Sequence, residues 1–281
     1  MNPFLSVVGS LVLWVGGGLL VAGATIVGPR RLSRLRTELV PRLWSVRRAL
    51  AGLGAVLLVS AIGRSSLQTV SELFGVQLTG LIYAVEGNFV AWVQATFVVP
   101  ELTMYFAGIY VYGYVFLLAF PFVAYLVLPN VTTLNRLLVA YGLNYSIGLA
   151  VYTVVFAHGP RNVMPDTVTS LLFTYNPDIM ALTSEVNEAA NVFPSLHTSL
   201  SVTVATFAVL TRGEYPRWTP VALWLATSVV LATMYLGIHW LTDVIGGIAL
   251  ALGSVYLSYR IVDDDEKTDS EARGDPTAAG A

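Results

Sequence analysis

The chain contains 281 residues, of which 56% are hydrophobic and only 11% are charged. Soluble domains carry about 25% charged residues, so this composition excludes a water-soluble enzyme and a disordered chain. The formal net charge of −2 excludes a basic nucleic-acid-binding protein, and the absence of cysteine excludes disulfides, thiolate nucleophiles and cysteine-ligated zinc. The sequence therefore predicts an all-α fold, a polytopic transmembrane helical bundle.

Seven stretches are apolar and long enough, or nearly so, to cross a bilayer as helices, which takes about 20 residues. In chain order they are 3–27, 49–67, 103–128, 137–157, 195–211, 219–237 and 240–260. The first lacks the basic start of a signal peptide. Arg64 shortens the second, and Pro121 is expected to kink the third without breaking it. About six to seven spans are predicted.

The stretch Leu78–Val99 is also long enough to cross, but it contains Glu86, Asn88 and Gln94 among its aromatic residues. This mixture is typical of a helix that lies in the membrane interface, or of one packed inside a bundle. If it crossed, the arginines that follow it would fall on the wrong side of the membrane. An interfacial segment is therefore preferred.

The arginines predict how the bundle is oriented, because cytoplasmic loops carry an excess of basic residues. The loop between the first two spans is cytoplasmic on this rule, since it carries Arg30, Arg31, Arg34, Arg36, Arg42, Arg47 and Arg48. If successive spans cross the membrane in alternating directions, Arg136, Arg212 and Arg217 lie inside, and Arg64 and Arg161 lie outside. The amino terminus is then outside and the carboxyl terminus is cytoplasmic.

Three regions follow from this reading of the chain. Residues 1–136 form amino-terminal transmembrane helices with the interfacial segment 78–99. Residues 137–260 form a core of four transmembrane helices. Residues 261–281 are predicted to be a disordered, acidic cytoplasmic tail, because they are rich in Asp, Glu, Ser, Thr and Gly.

All three histidines, His158, His197 and His239, fall on the predicted outer face. The loop from His158 to Asn191 is long for a compact membrane protein. It leads into a span at Ser195, a natural helix N-cap, which places His197 in the first turn. The free backbone N–H groups of such a turn form an anion site.

A second cluster contains His239 and Asp243, which are four residues apart and are expected to share one helical face. A carboxylate there accepts one ring N–H of the histidine and fixes its tautomer, so that the other nitrogen serves as nucleophile or base. An aspartate just inside a span is costly, which makes it a functional candidate. The alternative is a helix-terminal pair without a catalytic role.

At these residues the chain resembles the type 2 phosphatidic acid phosphatase superfamily. Pro194-Ser195-Leu196-His197 and His239-x-x-x-Asp243-x-x-Gly246 are similar to its second and third motifs, over roughly residues 141–257. The resemblance implies metal-independent phosphoryl transfer without a cofactor. His239 would attack phosphorus, Asp243 would orient it, and His197 would protonate the leaving oxygen, while Arg161 and Ser195 would bind phosphate oxygens.

The chain departs from the family's motifs at three positions, two of which carry a cation in the family. Val154 stands where the first motif has a lysine, and Ala232 and Thr233 stand where the third motif has Ser-Arg. This pattern is more similar to the inositol phosphorylceramide synthase-like branch, which moves phosphorylated head groups between lipids. The expected partners are a phospholipid or isoprenoid-phosphate substrate and membrane lipids, with no nucleic acid.

Several readings stay open from sequence alone. Head-group transfer and lipid phosphate hydrolysis are both compatible with the motifs, and a non-catalytic lipid-binding or transport bundle would explain the missing cations. Arg161 would serve equally as an anchor to lipid head groups. The aromatic residues Trp218, Tyr235 and Trp240 are expected in the interfacial belts. No metal site is predicted, because the acidic residues of the 158–191 loop match no metal-binding spacing.

Overall fold

The computed structural model describes residues 3–172 and 191–272. Apolar runs form helices because, in a bilayer, the backbone polar groups must be satisfied within the segment. The helices are α1 (Pro3–Ala22), α2 (Pro29–Ser33), α3 (Leu35–Ser45), α4 (Arg47–Phe74), α5 (Thr79–Glu86), α6 (Phe89–Phe97), α7 (Pro100–Gly108), α8 (Tyr114–Leu126), α9 (Thr132–Val154), α10 (Pro160–Val163), α11 (Leu196–Leu210), α12 (Trp218–Tyr235) and α13 (Leu241–Ala272). Single π-helical turns, Gly23–Val27 and Ile109–Gly113, extend α1 and join α7 to α8.

Within the described residues, five helical stretches are long and apolar enough to cross a membrane: Val7–Val27, Pro100–Leu126, Thr132–Val154, Trp218–Tyr235 and Leu241–Asp263. A sixth arises if α3 and the first part of α4, which meet at a bend of 68°, form one broken span. The prediction of an all-α, polytopic bundle is confirmed, and Pro121 lies within α8 without breaking it.

The predicted span 195–211 is shorter than the others. It corresponds to α11, an apolar helix of 15 residues, whose length of about 22 Å is less than the thickness of a hydrocarbon core. The helix begins only after its N-cap, Ser195, and the described residues before the cap, 191–194, are not helical.

The segment Leu78–Val99 folds as two short helices, α5 and α6, and not as one. Gly87 separates them with a positive φ of 55°. Their eight and nine residues are too few to cross a membrane singly. Ile82 and Val90 are buried in an apolar cluster that also contains Trp240. The segment thus packs over Trp240, and its depth in the membrane interface stays a prediction.

The arginine-rich segment lies at one end of the bundle. Arg42 donates hydrogen bonds to the carbonyl oxygen of Leu128 at 2.6 Å, and Arg217 donates to that of Thr25 at 3.2 Å. The turns before α2, after α8 and before α12 are therefore at the same end. A large apolar cluster fills this half of the bundle and includes Phe120.

The opposite end gathers the carboxyl end of α9 with the amino ends of α11 and α13. Two short parallel strands, β1 (Val76–Gln77) and β2 (Val155–Phe156), tie the end of α4 to the end of α9. Helix α11 packs against α9, α12 and α13. The candidate site is built at this junction.

The carboxyl-terminal tail differs in part from its prediction. The last helix continues to Ala272, so the tail predicted to be disordered from residue 261 is helical up to that point. Arg136 supports the extension, because its guanidinium pairs with Asp263 and lies 4.3 Å from the centre of the Tyr259 ring. Residues 273–281 lie outside the described residues.

The aromatic residues expected in the interfacial belts do not face the outside of the bundle. Trp218 and Trp240 are fully buried, and Tyr235 is 3% exposed. Each packs within a cluster of the bundle interior instead. The prediction that they belong to the belts was wrong, because the sequence alone does not distinguish an aromatic side chain near a helix end that faces lipid from one that faces the protein interior.

Candidate active site

His239 and Asp243 form a buried pair at the start of α13. His239 Nδ1 lies 3.3 Å from Asp243 Oδ2, and the aspartate is fully buried. The same carboxylate oxygen accepts the Trp240 N–H at 2.8 Å. The predicted contact is present, but its predicted cause is wrong: His239 precedes the helix, and Asp243 folds back toward it from the first turn.

A tight turn after α12 holds the backbone of His239. The N–H groups of Ile238 and His239 both donate to the carbonyl oxygen of Thr233, each at 3.0 Å. Gly237 makes the turn possible with a φ of 72°, and a Cβ there would lie 2.7 Å from the Val168 side chain. A side chain at this position would therefore displace the histidine.

Glu86, from the end of α5, caps α13, the helix whose first turn contains Asp243. Its carboxylate accepts the N–H groups of Leu241 at 2.9 Å and Thr242 at 2.5 Å. N–H groups in the first turn of a helix have no partner within the helix, and the Glu86 carboxylate supplies one. Its negative charge also interacts favourably with the positive end of the helix dipole. Sequence reasoning did not assign Glu86 to the site, although an acidic residue in an apolar stretch is a recognisable signal.

His197 lies in the first turn of α11, as predicted, and Ser195 is the N-cap, accepting the Thr198 N–H at 3.3 Å. The histidine ring is half-buried between two tyrosines, with ring centres 4.4 Å from Tyr110 and 4.5 Å from Tyr114. The Tyr110 hydroxyl lies 3.4 Å from His197 Nδ1. This contact helps to fix the orientation of the ring.

The starts of α11 and α13 are fastened together. The Ser195 N–H donates to the Asp243 carbonyl oxygen at 3.0 Å. A Cβ on Gly247 would lie 2.5 Å from the Ser195 carbonyl oxygen, so glycine permits this close approach. The structure thereby brings the two histidine-bearing segments to one place, as the sequence predicts.

Arg161 is attached to the same turn. Its N–H donates to the Gly237 carbonyl oxygen at 3.3 Å, and a Cβ on Gly159 would lie only 2.6 Å from the Ile238 carbonyl oxygen. Burial lowers the pKa of Arg161 from its ordinary value, and the neighbouring Tyr110 hydroxyl opposes this shift. A phosphate oxygen beside the guanidinium would stabilise the charged form that burial disfavours.

The loop that leads into α11 is anchored to the end of α9. The Asn191 side chain accepts the Ala157 N–H at 3.1 Å and donates to the Tyr152 carbonyl oxygen at 3.1 Å. The Tyr152 hydroxyl in turn donates to the Pro194 carbonyl oxygen at 2.7 Å. These bonds fix the backbone immediately before the N-cap, which positions the first turn of α11.

The residues at the positions where the motifs lack their cations are uncharged and do not replace the missing charge. Val154 is 59% exposed on the outside of α9, while Ala232 and Thr233 are fully buried. His158 lies near the pair, but it takes part through its carbonyl oxygen, which accepts the Trp240 indole N–H at 2.8 Å. The side chain of Arg64 and the loop residues Asp178, Glu185 and Glu188 lie outside what the structure describes.

Together, the helical bundle and the buried His–Asp pair define a multi-pass membrane protein with a histidine-based candidate site. The family model described as the PAP2 superfamily matches residues 78–257, and the chain belongs to that superfamily. The match begins at α5, well before residue 141, so it includes the segment that carries Glu86. No curated protein and no solved structure matches the chain. Membership supports a membrane phosphatase or phosphotransferase of the PAP2 type.

Proposed function

We propose that the chain transfers a phosphoryl group from a lipid phosphate ester through a phosphohistidine on His239. The observation that carries the proposal is the His239 Nδ1···Asp243 Oδ2 contact of 3.3 Å, with the carboxylate buried and also held by the Trp240 N–H. A proton on Nδ1 leaves the Nε2 lone pair available for attack. The alternative of a purely structural pair does not explain why His197 is held nearby.

In the first step Nε2 of His239 bonds to phosphorus and the bond from phosphorus to the leaving oxygen breaks. His197 gives its proton to that oxygen, and Asp243 stabilises the positive charge on the His239 ring. In the second step neutral His197 takes a proton from water or from an acceptor alcohol, whose oxygen bonds to phosphorus as the bond from phosphorus to His239 Nε2 breaks. His239 and protonated His197 are thereby restored.

The phosphate oxygens are proposed to lie between Arg161 and the first turn of α11. Its backbone N–H groups are partial positive charges at a helix N-terminus, where phosphate binds readily. The Ser195 hydroxyl oxygen already accepts the Thr198 N–H, so its own proton remains available for a phosphate oxygen. Because phosphoryl transfer depends mostly on positioning and charge stabilisation, Arg161 is the most important of these groups.

We also propose that the site faces the extracytoplasmic side and that the carboxyl terminus is cytoplasmic. The support is the arginine-rich segment at the opposite end of the bundle, which the positive-inside rule places in the cytoplasm. A phospholipid or isoprenoid-phosphate substrate would then reach the site from the outer leaflet. The interfacial segment α5–α6, which packs over Trp240, is in position to guide it.

The test follows free phosphate and transferred head group from a panel of labelled lipid phosphates, with the purified full chain. His239→Gln should abolish both products, whereas His158→Gln, a matched change at the same end of the bundle, should retain most activity. Free phosphate would identify a lipid phosphatase, and a transferred head group would favour the inositol phosphorylceramide synthase-like branch. Products unaffected by His239→Gln would refute the proposal. Absence of both products across the panel would favour the non-catalytic bundle suggested by the missing cations.

A further inference from the structure

A groove of about 510 Å³ lies between α4 and α9, near the arginine-rich end of the bundle. One end of its lining is polar and includes Ser45, Arg48, Thr132 and Asn135. Arg48 is exposed, and it makes no ion pair within the described ranges. This end of the groove therefore presents a cation that none of the described carboxylates neutralises.

The same end contains the N-terminus of α9. No side chain caps this helix, and its first residue, Thr132, lines the groove together with Asn135. A helix N-terminus carries partial positive charge on its first backbone N–H groups. Added to the guanidinium of Arg48, it makes this end of the groove attractive to an anion such as a phosphate group.

The remainder of the groove is lined by small and apolar residues, which include Gly52, Leu53 and Val56 on α4 and Gly142 and Leu143 on α9. An added Cβ on either glycine would meet no atom within 4 Å. The two helices thus leave room beside them for a hydrocarbon chain. Helix α9 is a candidate membrane span, and the first part of α4 belongs to the candidate broken span, so the apolar part of the groove would lie at the depth of the lipid tails.

This groove is remote from the candidate active site. Helix α9 has 23 residues, a length of about 34 Å, and its carboxyl end leads to the His239 pair whereas its amino end lines the polar part of the groove. A ligand with its phosphate at Arg48 would therefore be bound on the other side of the membrane. Its binding does not depend on the proposed catalytic reaction.

We propose that the groove binds one anionic phospholipid of the leaflet at the arginine-rich end. Its phosphate would lie at Arg48 and the N-terminus of α9, and one acyl chain would lie along Gly52 and Gly142. The order of the lining carries this assignment, because charge lies at head-group level and apolar surface lies deeper. Free phosphate would leave the apolar part unfilled, and an uncharged chain would leave Arg48 uncompensated.

The charge of the site is tested by lipid retention. The full chain is purified in detergent, exchanged against phosphatidylglycerol or phosphatidylcholine, and the lipids it retains are counted by native mass spectrometry. Wild type should retain phosphatidylglycerol preferentially, and Arg48→Ala should weaken that retention about fivefold, the effect of one basic residue near an anionic membrane surface. Arg36→Ala, an exposed arginine of α3 outside the groove, should retain the lipid as wild type does.

The shape of the site is tested separately. Gly142→Leu should fill the groove and lower retention of phosphatidylglycerol, whereas Gly253→Leu, which also adds a side chain in open space on another helix, should not. Unchanged thermal unfolding of each variant shows that it is folded. Equal retention of both lipids by wild type, an equal loss in Arg36→Ala and Arg48→Ala, or displacement of the lipid by inorganic phosphate would each overturn the proposal.

Discussion

Replacing Asp243 by asparagine tests the chemistry of the His239 pair with a minimal change in shape. The amide oxygen of asparagine can still accept the Trp240 N–H, which now bonds to the carboxylate at 2.8 Å. The amide NH₂ then faces His239 Nδ1, at the position of the present 3.3 Å contact. Because NH₂ only donates, it requires an unprotonated Nδ1, and the ring proton moves to Nε2.

The expected cost follows from that change of tautomer. A protonated Nε2 has no lone pair for attack on phosphorus, and the positive charge formed on the ring loses its buried counter-charge. Replacing the orienting aspartate of a catalytic triad lowers the rate about 10⁴-fold, and we expect a loss of about 10³- to 10⁴-fold here. This corresponds to roughly 4–5.5 kcal/mol of activation free energy.

The assay is the single-turnover rate of phosphoenzyme formation, measured by rapid quench with a labelled lipid phosphate. Asp166→Asn is the matched control, because Asp166 is exposed in the loop after α10, and its rate should equal that of wild type. Thermal unfolding reports whether the Asp243→Asn chain is folded. A folded variant that keeps more than a tenth of the wild-type rate would refute the orienting role of Asp243.

Four further predictions follow from the site. Tyr110→Phe keeps the stacked ring but removes the hydroxyl at His197 Nδ1, so the rate should fall about tenfold or less and the pH profile should shift on the limb set by the acid; an unchanged profile contradicts this. Arg161→Ala should lower kcat/KM about 10²- to 10³-fold without abolishing the phosphoenzyme, and an unchanged KM and kcat would exclude phosphate contact. Gly247→Ala should destabilise the fold by about 1–3 kcal/mol in thermal unfolding, because its Cβ would overlap the carbonyl oxygen of Ser195 at the N-cap of α11, whereas Gly253→Ala should not. Wild-type turnover should be bell-shaped between about pH 5 and 8, since one histidine must be neutral and the other protonated; a flat profile argues against two histidines.

Local sequence signals predicted the parts of the site that depend on neighbouring residues. Ser195 was identified as an N-cap from its residue type, and the structure confirms it. The contact between His239 and Asp243 was also predicted, but the helical spacing used to infer it was the wrong reason. A residue just before a helix and one in its first turn approach each other as readily as two residues on one helical face.

Contacts between distant segments could not be predicted in this way. Tyr110 lies 87 residues from His197, and in sequence it is one tyrosine among several in an apolar span. Glu86 lies 155 residues from Leu241, and only its charge within the apolar segment marked it as unusual. The burial of Trp240 depended on how that same segment packs. These features arise from tertiary packing, and neither hydrophobic periodicity nor motif spacing contains information about it.

His239 is proposed to carry the phosphoryl group, and the most direct test is to map the phosphorylated residue. Labelled lipid phosphate is mixed with the purified full chain, the reaction is quenched in base, where phosphohistidine survives, and the digested peptides are sequenced by mass spectrometry. An acid-labile label is expected on the peptide containing His239, and it should be absent from His239→Ala. Label on another residue, or turnover undiminished in His239→Ala, would contradict it.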